Sequence, residues 1–153
     1  MKFDIFGNLK PYQIIKSDLK TFEKTFVAPF SESKTRKVLL KNFKNYLSDL
    51  ENVAGSGFYQ WIDGSFITNK LNPNDIDFVT FIDWKVFEKN EKGIDRLRQL
   101  RYQKELGMDG YFVAVYPENH KKNILYQADR FQWQFQFGKS RTDKQKGIIQ
   151  IDF

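Results

Sequence analysis

The stretch Trp61-Ile-Asp-Gly-Ser-Phe-Ile-Thr-Asn-Lys-Leu-Asn-Pro-Asn-Asp-Ile-Asp-Phe-Val-Thr-Phe81 decides how the chain is read. It holds a Gly-Ser pair, Gly64-Ser65, then nine residues, then the tripeptide Asp75-Ile76-Asp77 at the head of an apolar run. A Gly-Ser at the end of an apolar strand predicts a turn into a helix whose free backbone N–H groups and Ser hydroxyl can cradle phosphate. Asn72-Pro73 fixes a turn just ahead of the acids, because proline presets its own dihedral and biases its predecessor toward extended geometry. On the strand that follows, Asp75 and Asp77 project from one face while Ile76 points into the core. Two carboxylates about 7 Å apart at their Cα atoms suit a hard cation such as Mg2+, which takes oxygen ligands and leaves room for substrate phosphates.

Around this stretch, helical and strand periodicities alternate. Leu19, Phe22 and Phe26 make one helical face behind an expected N-cap at Ser17. Leu39, Phe43, Tyr46, Leu47 and Leu50 make a longer one, starting near Ser31 or Ser33 and ended by Gly55-Ser56-Gly57. Strands are expected at Phe58–Ile62, Asp75–Ile82 and Tyr111–Tyr116, with helical spacing from Trp84 to Leu106 broken around Gly93. Phe131–Phe137 alternates like a strand, yet Ile124, Ala128, Phe131 and Phe135 also form a helical stripe, and helix is the reading adopted. Ile148–Phe153 reads as a closing strand, and residues 3–15 as a turn-rich stretch with room for one short edge strand. The sum is an α+β fold, a mixed sheet with flanking helices, in a single domain over residues 1–153.

Composition narrows the chemistry. The chain has no cysteine, which excludes disulfides, thiolate zinc sites and cysteine nucleophiles, and fits a reducing, cytoplasmic setting. Its only histidine, His120, stands beside Lys121 and Lys122 and reads as a solvated loop residue, so His-based metal sites and Ser-His-Asp hydrolysis lack material. No stretch approaches membrane-spanning length, and the first residues carry an acid and a glycine where a secretory signal needs an apolar run. A formal charge of +6 favours polyanionic partners, whether nucleotide, nucleic acid or an acidic protein.

The spacing of Gly64-Ser65 and Asp75-Ile76-Asp77-Phe78 resembles the signature of the DNA polymerase beta-like nucleotidyltransferase superfamily. Over its full length the chain is similar to a little-characterised family of small bacterial and phage proteins within it. The residues carrying that likeness are Leu19 to Val27, Trp61 to Thr68, Pro73 to Asp77, Tyr111-Phe-Val113, Phe137 to Arg141 and Lys146-Gly-Ile148. The resemblance implies a minimal nucleotidyltransferase-like fold and Mg2+-dependent (or Mn2+-dependent) transfer of a nucleoside monophosphate from an NTP to a hydroxyl. The acceptor would be a protein, nucleic acid or small molecule, and the setting toxin–antitoxin or phage defence.

In that scheme Asp75, Asp77 and a third acid, Asp109, hold the metal, and Gly64 and Ser65 hold the β and γ phosphates. Lys70, Lys139, Arg141 and Lys146 are the cations nearest the motif by order or resemblance. Two positions depart from the family pattern. Gly110, directly after Asp109, breaks the usual apolar alternation, and Asp63 stands where an apolar residue is common. Asp109 reads equally as a metal ligand or as a turn acid after Gly107. Asp63 reads as a support for the site or an inert turn acid, and Thr68 as a ribose contact or a cap. The competing readings of function are a non-catalytic module that binds nucleotide, nucleic acid or a partner protein through a degenerate site, and a scaffold with a vestigial phosphate turn.

Overall fold

The computed structural model describes residues 1–153. An N-terminal ribbon pairs β1 (Lys2–Phe3) with β2 (Leu9–Lys10). The main sheet is built from β3 (Ile14–Ser17), β4 (Tyr59–Asp63), β5 (Ile76–Asp83), β6 (Met108–Val115) and β7 (Ile148–Asp152), in the order β3-β7-β4-β5-β6. Strand β4 runs antiparallel to both its neighbours, whereas β3 with β7 and β5 with β6 are parallel pairs. Helices α1 (Leu19–Phe26), α2 (Arg36–Ala54), α3 (Trp84–Lys89), α4 (Glu91–Gln99) and α5 (Asn123–Phe137) flank it. The fold is therefore the mixed α+β architecture expected from the periodicities, and no helix is long and apolar enough to cross a membrane.

Strand alternation divides the apolar mass between two faces. Ile62, Ile76, Phe78, Ile82, Ile149 and Ile151 point to one side, where Phe22 and Phe26 of α1, the Leu39-to-Leu50 stripe of α2, and Ile94 and Leu97 of α4 close a core of 22 buried residues. Its rings are interlocked: Phe22 stacks on Phe66 at 5.5 Å and Phe78 meets Phe43 and Tyr46 edge-on at 5.3 and 4.8 Å. Trp61, Val79, Phe81, Val113 and Ile148 point to the other side, under Trp133 and Phe137 of α5. Burying one such aromatic side chain stabilises the fold by roughly 2–3 kcal/mol.

Several boundaries move, each for a local reason. The N-cap of α1 is Asp18, whose carboxylate accepts from the Thr21 N–H at 2.8 Å, and not Ser17. Helix α2 starts at Arg36, because residues 31–35 form a turn pinned by Asn72, which accepts from the Lys34 N–H and the Ser33 hydroxyl. The break between α3 and α4 falls at Asn90, whose side-chain amide donates to the Val86 carbonyl at 2.9 Å; Gly93 lies inside α4, against Val53. His120 is a loop residue as expected but half-buried: its ring packs against both Trp84 and Tyr116, at 4.8 and 4.7 Å, and those two stack on each other. The N-terminal segment holds three short strands instead of one.

Helix α5 is helical as expected, and the stripe noted in the sequence is not the side that meets the sheet. Trp133 and Phe137 face the sheet with Tyr126, while Ile124, Phe131 and Phe135 of the expected apolar stripe are 74, 65 and 69 % exposed. The sheet face selects rings that can pack on Trp61 and Tyr111, and leaves the other apolar stripe outside.

Candidate functional site

Register places the acids before any side-chain argument is needed. Asp77 of β5 lies directly opposite Asp63 of β4 and directly beside Asp109 of β6. Side chains at paired positions share a face of a sheet, so Asp63, Asp77 and Asp109 form a row across three strands, on the face that α5 covers. Asp75, two residues before Asp77 and immediately ahead of β5, extends the row outward. Asp109 is thus a strand residue and not a turn acid, because β6 starts at Met108.

Gly64 follows the row at the end of β4 with φ +77°, a conformation that disfavours any side chain. A Cβ there would also collide with the Asp77 carboxylate. The glycine lets the backbone turn directly over the acid. Ser65 then opens a single 3-10 turn, Ser65–Ile67, where the sequence predicted a helix; this is closed by the Thr68 N–H and hydroxyl donating to the Ser65 carbonyl at 3.3 and 2.7 Å. A turn this short has little macrodipole, so phosphate affinity there rests on local N–H groups and the Ser65 hydroxyl. Thr68 acts as the cap of that turn.

The turn is held from behind by Arg36, which is fully buried. One guanidinium nitrogen donates to the Phe26 and Phe66 carbonyls at 2.6 Å each, and another to those of Thr68 and Lys70 at 2.9 and 2.6 Å. Its plane lies 3.8 Å from the Phe30 ring centroid. Burial lowers its pKa to about 10, so it stays cationic at neutral pH. Arg36 therefore welds the end of α1, the turn after Gly64 and the loop leading to the acids into one piece.

Gly64, Ser65, Thr68, Lys70, Asp63, Asp75, Asp77, Lys139, Arg141 and Lys146 line one cavity of about 600 Å³. Phe135 to Phe137 at the end of α5 form its far wall. The cations are not equivalent. Lys146 is buried and its ammonium sits 2.7 Å from Asp63, whose second carboxylate oxygen has no hydrogen-bond partner. Lys139 pairs with Asp143 at 2.9 Å at the cavity rim, and Arg141 and Lys70 are exposed. Asp63 is thus neither inert nor a turn ornament: it anchors the buried lysine.

Electrostatics single out Asp77. Burial first, and then the like charges of Asp75 and Asp109, push its carboxyl up to about 6, with Lys146 and Arg141 pulling part of the way back. Burial also pushes Asp63 up against the pull of Lys146 and the Gly64 N–H. Asp109 stands apart. It does not line the cavity, and its carboxylate faces Arg101 at 3.3 Å, which also donates to the Tyr111 hydroxyl. No group of three or more His, Cys, Asp or Glu side chains is arranged to hold a metal ion. The three carboxylates expected to hold a metal are therefore not brought together: Asp109 is engaged by Arg101, and Asp75 and Asp77 line the cavity as a pair. Such a pair fits Mg2+, which is commonly held by one or two carboxylates together with substrate phosphates.

Gly110, the other departure, has a packing cause. A Cβ on it would sit 2.6 Å from the Phe78 ring, so the missing side chain makes room for the Phe78–Tyr46 contact directly beneath the acid row. Sequence reasoning missed Arg36 and Arg101. Arg36 had a readable signal, since it sits one turn before Leu39 and Leu40 on the apolar stripe of α2. Arg101, in a 3-10 turn after α4, had none.

The chain belongs to a family of unknown function, DUF6932, whose model matches residues 1–152. No curated protein and no solved structure matches it.

Proposed function

We propose that this DUF6932 protein is a divalent-metal-dependent nucleotidyltransferase acting in the cytoplasm, moving a nucleoside monophosphate from an NTP to a hydroxyl acceptor. The observation that supports this most is the convergence of Asp75 and Asp77, the Gly64-Ser65 turn and Lys146 on one cavity. The raised carboxyl of Asp77 adds to it, because a carboxylate crowded by other acids is a position where a bound cation gains most. Phosphoryl chemistry asks a protein mainly for positioning and charge neutralisation, and this cavity offers both.

In this reading Asp75 and Asp77 would hold Mg2+ or Mn2+, which when bound neutralises phosphate oxygens and eases ionisation of the acceptor hydroxyl. Gly64, freed of a side chain, lets the triphosphate approach the backbone, and Ser65 donates to a phosphate oxygen. Lys146, fixed by Asp63, presents its charge at a constant depth, while Lys70, Lys139 and Arg141 supply exposed charge from the rim. The acceptor oxygen bonds to the α-phosphorus, the bond from that phosphorus to the bridging oxygen breaks, and pyrophosphate leaves with the electron pair. The acceptor proton passes to a carboxylate of the acid row.

The test is incubation with each labelled NTP, Mg2+ or Mn2+, and host lysate, comparing wild type with the Asp75→Asn, Asp77→Asn double variant. Label should enter a protein or nucleic acid only with wild type; equal labelling by a folded double variant refutes the assignment. One observation favours the alternative of a non-catalytic binding module: Arg101 occupies Asp109. Nucleotide binding without turnover, in wild type and in Arg101→Gln alike, would select it.

A further inference from the structure

We propose that the slot between α5 and the β3 edge of the sheet, adjoining the acidic cavity, is the subsite for the planar base of the donor nucleotide. This inference rests on the nucleotidyltransferase reading above. The slot measures about 360 Å³, within the size range of small-molecule sites. Tyr12, Ile14 and Ile148 form one wall, and Phe131 and Phe135 of α5 the other. It lies beside the C-terminal half of α5, where Ile148 of β7 and Ile14 of β3 join the small cluster that Phe137 closes.

Three features fit a heteroaromatic ring there. The first is the exposed aromatic pair. Phe131 and Phe135 are one helical turn apart and about two-thirds exposed, although the same helix buries Phe137. Exposed rings next to a site with no aromatic neighbour of their own can serve as stacking platforms, indifferent to which base they receive.

The second feature is the polar complement. Gln13, Gln134 and Gln145 also line the slot. Each side-chain amide offers both donors and an acceptor, the mixture that a base edge displays and that a phosphate or an alkyl chain does not.

The third feature is continuity. Phe135, Lys139 and Lys146 line both the slot and the acidic cavity. The Lys139 ammonium lies 4.6 Å from the Phe135 ring centroid, at the junction of the two. A ligand with a flat ring at one end and a charged phosphate chain at the other would span them, its base on Phe135 and its phosphates toward Ser65, Lys146 and the acids.

The experiment compares inorganic tripolyphosphate with each of the four NTPs by titration calorimetry at fixed Mg2+, on wild type, Phe135→Ala and Phe135→Tyr. Because Phe135 is mostly exposed, its truncation should leave the thermal melt unchanged. Wild type should bind at least one NTP more tightly than tripolyphosphate. Phe135→Ala should lose roughly tenfold or more in affinity for that NTP with tripolyphosphate binding unchanged, and Phe135→Tyr should retain it. Saturation-transfer NMR should show stronger transfer to base protons than to ribose protons in wild type, and lose that contrast in Phe135→Ala. Equal NTP affinity in wild type and Phe135→Ala overturns the subsite, as does wild type binding NTPs no better than tripolyphosphate; in both cases the phosphate site stands. Wild type binding neither ligand overturns the nucleotide reading itself, and the subsite with it.

Discussion

Replacing Asp77 by Asn should stabilise the ligand-free protein at neutral pH. Asp77 carries a carboxyl raised from 3.8 to about 6, by burial and then by the like charges of Asp75 and Asp109. At 1.36 kcal/mol per pKa unit that rise is an upper bound of about 3 kcal/mol; partial exposure of Asp77 makes about 1–3 kcal/mol the working range. The sign follows from proton counting. Between pH 4 and pH 6 the folded protein holds a proton on Asp77 that the unfolded chain has released, so raising the pH through this window favours unfolding of wild type. Below about pH 4 both states are protonated and the penalty is absent. Asn carries no such penalty at any pH, and no hydrogen bond to Asp77 is lost.

Urea unfolding at several pH values between 4 and 8 should therefore show the two proteins converging near pH 4 and Asp77→Asn ahead by about 1–3 kcal/mol at pH 8. Asp63 is common to both proteins and its own titration largely cancels in the difference. Saturating Mg2+ with a nucleotide should narrow the gap, because a ligand that binds only the folded wild type stabilises it by mass action. An Asn variant that is less stable than wild type at pH 8, or a difference that does not change with pH, would refute the electrostatic account of the acid row.

Two further perturbations probe the supports of the site. Arg36→Met should cost about 3 kcal/mol or more in denaturant unfolding, since four backbone carbonyls lose their donor; the same variant should weaken nucleotide binding while leaving every cavity-lining side chain in place. Lys146→Met should cost about 3–5 kcal/mol by leaving Asp63 buried without its cation, and adding Asp63→Asn should recover a large part of that loss. A double variant no more stable than the single one would show that the pair contributes through something other than charge.

What the sequence disclosed and what it withheld follow from the range of the interactions. Gly64, Ser65, Asp75 and Asp77 are close in sequence, and strand alternation and turn geometry were enough to predict that they face one cavity. The α2 stripe was legible for the same reason, as were the strands on either side of the acids. The partners of Asp63 and Asp109 were not legible. Asp63 meets a lysine from the far side of the loop before β7, and Asp109 meets an arginine from the 3-10 turn after α4; neither contact leaves a periodic trace. Helix α5 was legible as a helix, but which of its sides meets the sheet was not, because two apolar stripes compete on it and only the sheet's own rings choose between them.

Every hydrogen bond Arg36 donates goes to a carbonyl oxygen, so beyond Phe66 the loop it secures owes its shape to the main chain and little to the identity of the residues there. Phe66 and Ile67 are committed to the interior, but Lys70 and Leu71 are exposed and unencumbered by packing. Those two positions can diversify, by drift or in a randomised library, without unmaking the curve of the backbone beside the acids. Of the two only Lys70 lines the cavity, so changes in which molecule is accepted at the mouth should arise at Lys70 more readily than at any position of the sheet.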